Sequence, residues 1–115
     1  MYEDVQYVTE DGIATVTIDR PEVFNSFTER TVAELNDALR RAGEDDNVYV
    51  VVLTGAGDGF CAGADVTSMP EWSERSFEEY AAFLRGVQNV VRQLRTMHKP
   101  TIAAVGGPAI GAGCD

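Results

Sequence analysis

Val5 and Tyr7, then Ile13, Thr15 and Thr17, alternate with other residues on either side of Asp11-Gly12. A period of two interrupted by Asp-Gly predicts a β-hairpin. Its second strand runs from Ile13 to Asp19 and ends at Arg20-Pro21, since proline fixes φ and lacks a donor. The period then changes. Val32, Leu35, Leu39 and Ala42 make one apolar stripe at helical spacing. Ser26 or Thr28 opens that helix, with Glu29 three residues after Ser26 as in a capping box. Gly43 and the acidic run Glu44-Asp45-Asp46 close it. Val48 to Leu53 is a nearly continuous β-branched run, as expected of a strand buried on both faces. Met69 to Ser76, around Pro70 and Trp72, reads as a loop or short helix. Phe77, Tyr80, Leu84, Val87, Val91 and Leu94 predict a long amphipathic helix ending near Thr96, broken by Lys99-Pro100. Ile102 to Val105 is a further short buried strand. Hairpin, helix, strand, helix, strand is an α/β order with parallel elements.

Two segments repeat one design. Val51-Val52-Leu53-Thr54-Gly55 leads into Ala56-Gly57-Asp58-Gly59-Phe60-Cys61-Ala62-Gly63-Ala64-Asp65. Thr101-Ile102-Ala103-Ala104-Val105 leads into Gly106-Gly107-Pro108-Ala109-Ile110-Gly111-Ala112-Gly113-Cys114-Asp115. Each is an apolar strand, then glycines, then a small residue and a carboxylate. Two such turns can aim two backbone N–H groups at one point, which is how an oxyanion hole is built. The final segment reads as the first turn of a helix, so the 115 residues are expected to be part of a longer protein.

Composition narrows the classes. Hydrophobic residues make up 44% and the formal net charge is −10, which favours a folded chain and argues against nucleic acid or an anionic membrane as partner. No run approaches the roughly 18 apolar residues of a membrane helix, and Met1-Tyr2-Glu3-Asp4 has no signal-peptide pattern. Cys61 and Cys114 lack a nearby His or third Cys, so no metal site is expected and free thiols in the cytoplasm are the simplest account.

Arg20-Pro21-Glu22-Val23-Phe24-Asn25-Ser26-Phe27, Phe60-Cys61-Ala62-Gly63-Ala64-Asp65 and Lys99-Pro100-Thr101-Ile102-Ala103-Ala104-Val105 resemble the signature segments of the crotonase superfamily, the enoyl-CoA hydratases and isomerases. The likeness spans essentially the whole chain but matches only the N-terminal part of a family member. It implies a crotonase-like α/β spiral of ββα units, incomplete at the C-terminus, with residues 1–115 forming the first portion of one acyl-CoA-binding domain. The implied chemistry holds a thioester enolate between two backbone N–H groups, those of Ala64 and Ala112. Many relatives carry glycine at the second position; alanine keeps the N–H, provided its φ is negative. Asp115 stands where classical hydratases carry the first of two catalytic glutamates, and dienoyl-CoA isomerases resemble this chain in having aspartate there. The resemblance implies substrate contacts at Ser26, Ala62, Ala64, Asp65, Val66, Gly111 and Ala112, with Thr67 following in the same stretch. It implies coenzyme A as part of the substrate, no separate cofactor, and a homotrimer or hexamer.

Each position also has an ordinary reading. Ser26 and Asp65 suit helix caps, Asp115 suits the start of a helix, and Met69 and Trp72 suit packing as much as an acyl pocket. Glu22 replaces a lysine found in some relatives, so no phosphate contact is expected from that side. His98 is expected to be exposed, and Arg85, Arg92, Arg95 and Lys99 to form a solvated or salt-bridged face. Hydration of a 2-enoyl-CoA is the leading expectation, with double-bond isomerisation as alternative. A dinucleotide-binding domain fits worse, because Phe60 replaces the third glycine of G-x-G-x-x-G and no Walker lysine follows. A non-catalytic CoA-binding or assembly subunit is a third class. The acid excess is either a solvated surface or an adaptation to high salt. On the second account Tm rises between low and molar KCl; a flat Tm leaves the first.

Overall fold

The computed structural model describes residues 2–65 and 75–115. Strands β1 (Val5–Glu10) and β2 (Ile13–Ile18) form the expected hairpin, in antiparallel register from Val5 opposite Ile18 to Glu10 opposite Ile13. Asp11 and Gly12 both have positive φ, at 52° and 82°, which the two-residue turn demands. Helix α1 (Glu29–Glu44) crosses over to β3 (Val50–Gly55), which lies parallel to β2. Helix α2 (Phe77–Thr96) leads to β4 (Thr101–Ala104), parallel to β3. The sheet order is β1-β2-β3-β4.

Register fixes which residues face inward. Tyr7, Val16, Leu53 and Ala103 are successive cross-strand partners and share one face. On β2 the buried set is Ala14, Val16 and Ile18, while Ile13 is exposed. Val51 and Leu53 are buried with them, and Val32, Leu35, Leu39 and Ala42 of α1 close the core. The expected helical stripe of α1 is therefore the one used.

Three expectations about elements need correction, and one of the two starts expected for helix α1 is selected. Thr28 is its N-cap, and the Thr31 hydroxyl accepts the Thr28 N–H at 3.1 Å, so the capping box joins Thr28 and Thr31 rather than Ser26 and Glu29. Ser26 and Phe27 are instead committed to the loop that meets Ala64. Strand β3 is buried on one face only, since Val50 and Val52 are half-buried. Among the described residues β4 lies at the edge of the sheet, and Ile102 and Val105 are exposed there rather than buried. On α2 the packed residues are Phe83, Val87, Val90 and Leu94, not Phe77, Tyr80 and Leu84; Phe77 is 84% exposed. The seam against α1 explains this shift. A Cβ at Gly86 would lie 3.0 Å from Val32, and Asn36 bonds the Gly86 carbonyl, Asn89 and Gln93. Among the described residues no helix is long and apolar enough to cross a membrane.

Lys99 is not part of a solvated face with the exposed Arg85, Arg92 and Arg95. Its Nζ donates to the carbonyls of Ala42 (2.8 Å) and Asp45 (2.6 Å), satisfying acceptors at the end of α1 and tethering the approach to β4. At the other end of α1, Glu34 Oε1 accepts the successive amides of Glu3, Asp4 and Val5. Asp4 is buried and accepts from Arg30 and Thr31. Burial alone would raise its pKa, but these hydrogen bonds hold it below the usual aspartate value. A lowered native pKa contributes stability above the unfolded value, about 3.9, that is lost as pH falls through the native one. Asp4→Asn should cost about 1–3 kcal/mol near neutral pH. The deficit should shrink below about pH 4, read by denaturant unfolding across pH.

Candidate active site

The first loop is anchored by a buried asparagine. Phe24 and Asn25 both adopt left-handed φ, 54° and 59°, which is strained for a non-glycine residue. Asn25 is fully buried. Its Oδ1 accepts the Arg20 N–H at 2.8 Å, and its Nδ2 donates to the carbonyls of Ala56 (2.8 Å) and Gly59 (2.7 Å). These bonds hold the segment after β2 against the loop after β3. Arg20 donates from Nη1 to the Ser26 carbonyl at 2.6 Å and from Nη2 to Asp65 at 3.2 Å.

Along Phe60 to Asp65, four amides meet backbone acceptors: Phe60 and Cys61 donate to the Pro108 carbonyl, Ala62 to Phe24, and Asp65 to Phe27. Burial pushes the Cys61 thiol pKa up, and the neighbouring Gly63 backbone opposes that push. The Ala64 amide meets no acceptor among the described residues. Its neighbours make the parallel bridge to Phe27, which donates to the Gly63 carbonyl at 2.9 Å and accepts from Asp65 at 2.8 Å. In a parallel bridge the central residue's own N–H points away from the partner strand.

The second loop docks directly on the first. Cys61 and Ala109 form a parallel bridge, with the Ile110 amide donating to the Cys61 carbonyl at 2.9 Å. Residues Gly111–Cys114 then turn as a short 3-10 helix. Gly113 donates to Ile110 and Asp115 to Ala112, whereas no acceptor among the described residues engages the Ala112 amide. Two backbones touch here. A Cβ at Gly63 would lie 2.9 Å from the Ile110 carbonyl and 3.5 Å from the Ala112 nitrogen, and one at Gly113 would overlap the Cys61 carbonyl. Ala112 keeps negative φ, while Gly111 takes +59°.

The other expected positions fall out as follows. Ser26 is buried with its carbonyl on Arg20, and Ala62 is held by Phe24. Asp65 is buried and ion-paired to Arg20, with side chains 7% and 16% exposed. Val66, Thr67, Met69 and Trp72 lie outside the described residues. Ser76 caps α2, accepting from the Glu79 amide. His98 is exposed. Ala112, Gly113, Cys114 and Asp115 line an apolar cavity of about 180 Å³ with Leu53, Phe60, Cys61, Val87 and Val91. Arg20 and Asn25 were legible in the sequence only as a strand end and as part of a motif. The available signal was an asparagine, a residue tolerant of positive φ, a few positions after a strand-ending Arg-Pro.

A model of the enoyl-CoA hydratase/isomerase family matches residues 8–115. The chain is 32% identical to an enoyl-CoA hydratase/isomerase from Xanthobacter autotrophicus Py2, with a TM-score of 0.92, covering 99% of this chain and 42% of that one. An enoyl-CoA hydratase from Polaromonas sp. JS666 is 32% identical (TM-score 0.87; 95% and 42% covered). One from Bacillus anthracis is 27% identical (TM-score 0.85; 96% and 43% covered). The chain belongs to the enoyl-CoA hydratase/isomerase family. Its mixed α/β architecture is that of the crotonase fold, and it spans about two fifths of the length of these relatives.

The loop contact predicts a contrast between glycines. Gly113→Ala should destabilise by about 1–3 kcal/mol, because a rigid carbonyl must move. Gly106→Ala, with nothing within 4 Å of a Cβ, should stay within about 0.5 kcal/mol. Chemical unfolding of both variants checks this.

Proposed function

We propose that the full-length protein is an enoyl-CoA hydratase, adding water to a 2-enoyl-CoA to give a 3-hydroxyacyl-CoA. The observation that carries this reading is the pair of amides, Ala64 and Ala112, that meet no acceptor among the described residues, in two interlocked loops of an enoyl-CoA hydratase/isomerase family member. Attack of water at C3 moves the double-bond electrons onto the thioester oxygen, and a proton then joins C2. Donors fixed in advance at that oxygen stabilise the enolate without reorganising as charge develops. Coenzyme A enters as part of the substrate on this reading. Asp115, next in the turn after Cys114 and lining the apolar cavity, is the candidate proton carrier.

One observation favours a second reading, double-bond isomerisation. Asp115, one methylene shorter than the glutamate that classical hydratases carry at this position and the same residue as in the dienoyl-CoA isomerases it resembles, lines that cavity. A single carboxylate suffices to carry a proton between two carbons of an enolate, with no water added. Product analysis with crotonyl-CoA and with a 3-enoyl-CoA separates the two: a 3-hydroxyacyl product supports hydration, and conversion of the 3-enoyl to the 2-enoyl thioester alone supports isomerisation.

Both readings need the second amide donor. Ala112→Pro removes it and should lower kcat by about 10²–10³-fold in the full-length protein. Steady-state kinetics that keep kcat within about twofold would make the oxyanion role untenable.

A further inference from the structure

We propose that Arg20 is a positioning residue for the Ala64 amide, aiming that N–H without touching the substrate; this rests on the oxyanion reading above. Arg20 spans both chains that bracket the amide. One arm of its guanidinium holds the Ser26 carbonyl at 2.6 Å, directly before Phe27. The other holds the Asp65 carboxylate at 3.2 Å, directly after Ala64. Phe27 and Ala64 are themselves bridge partners. The guanidinium therefore closes a ring running from Ser26 through Phe27, across to Ala64 and Asp65, and back. Rotation of the Ala64 peptide would have to break the bridge or stretch the ion pair.

The backbone of Arg20 is fixed as well. Its N–H is held by Asn25, and its carbonyl accepts from Val23 and Asn25. The side chain thus reaches from an anchored point into a largely buried place. The guanidinium is a planar fork that places two different nitrogens on the carbonyl and the carboxylate in fixed relative geometry; an ammonium would have to reach both acceptors from one atom on a flexible stem and cannot reproduce that plane. Exposed ion pairs hold little, but this one is shielded on both sides. An error of about 1 Å in a catalytic group costs roughly 10²-fold.

The test uses the full-length protein with cinnamoyl-CoA, a conjugated thioester, and reads the carbonyl stretch of the bound thioester together with kcat, KM and Tm. In the wild type the stretch should move to lower frequency on binding. Arg20→Lys should lose most of that shift and lower kcat about 10–100-fold, with KM changed by less than about threefold. Asp65→Asn, which keeps the shape of the side chain, should act in the same direction, and the double variant should fall well short of additivity. Arg30→Met removes an ion pair to Asp4 elsewhere in the fold; it should lower Tm yet keep the full shift. The positioning role is overturned if Arg20→Lys and Asp65→Asn retain the shift and kcat, or if Arg30→Met loses the shift in step with Tm. A wild type that binds with no shift overturns the oxyanion reading itself, and the role of Arg20 with it.

Discussion

Everything at the candidate site depends on one close approach, that of the backbone around Cys61–Gly63 to the backbone around Ile110–Gly113. Two main chains lie so near each other that side chains have no room between them at Gly63 and Gly113. The contact is held by a short parallel bridge, in which Cys61 donates to Pro108 and accepts from Ile110. Because β3 and β4 are parallel neighbours, both loops leave the same end of the sheet, as binding segments of open α/β sheets do. The sheet brings the loops to one place, and the glycines let them touch.

The first loop needs more support than the second. It follows Asp58-Gly59 and has no regular element of its own before Asp65. Its support comes from the strained pair Phe24-Asn25, whose left-handed backbone is stabilised by three bonds of one buried amide. An unpaired buried amide would be costly, so this side chain defines the loop only because every one of these bonds is made. Arg20 then ties the far end to Ser26 and Asp65. The stretch from Arg20 to Phe27, which looks like a connection between strand and helix, is thus a clamp on the site.

Much of the fold could be read from the sequence. The Asp11-Gly12 turn, the stripe on α1 and the extent of α2 follow from local rules of period and turn chemistry. Where local reading failed, a non-local partner decided the outcome. Of the two starts expected for α1, Thr28 is used while Phe27 pairs with Ala64. The packed face of α2 follows the seam at Gly86 and Asn36, which turns Phe83 inward and leaves Phe77 out. Lys99 was read as surface charge, yet it satisfies carbonyls at the end of a helix more than fifty residues earlier. Asp65 could be singled out from its place after Ala64, but its pairing with Arg20 spans 45 positions and leaves no periodic trace.

The same logic explains why this kind of site is marked by its neighbours rather than by its donors. A backbone N–H is present at every residue but proline, so replacing glycine by Ala112 leaves the donor intact while φ stays negative. The geometry is carried instead by the residues that let the peptide sit where it does: Gly63 and Gly113 for closeness, Gly111 for its positive φ, Asn25 for the loop in front. On the proposed reading, the amides of Ala64 and Ala112 would hold the thioester oxygen in hydration and isomerisation alike, and the carboxylate of Asp115, one methylene shorter than a glutamate, would decide where a proton is delivered around that fixed point.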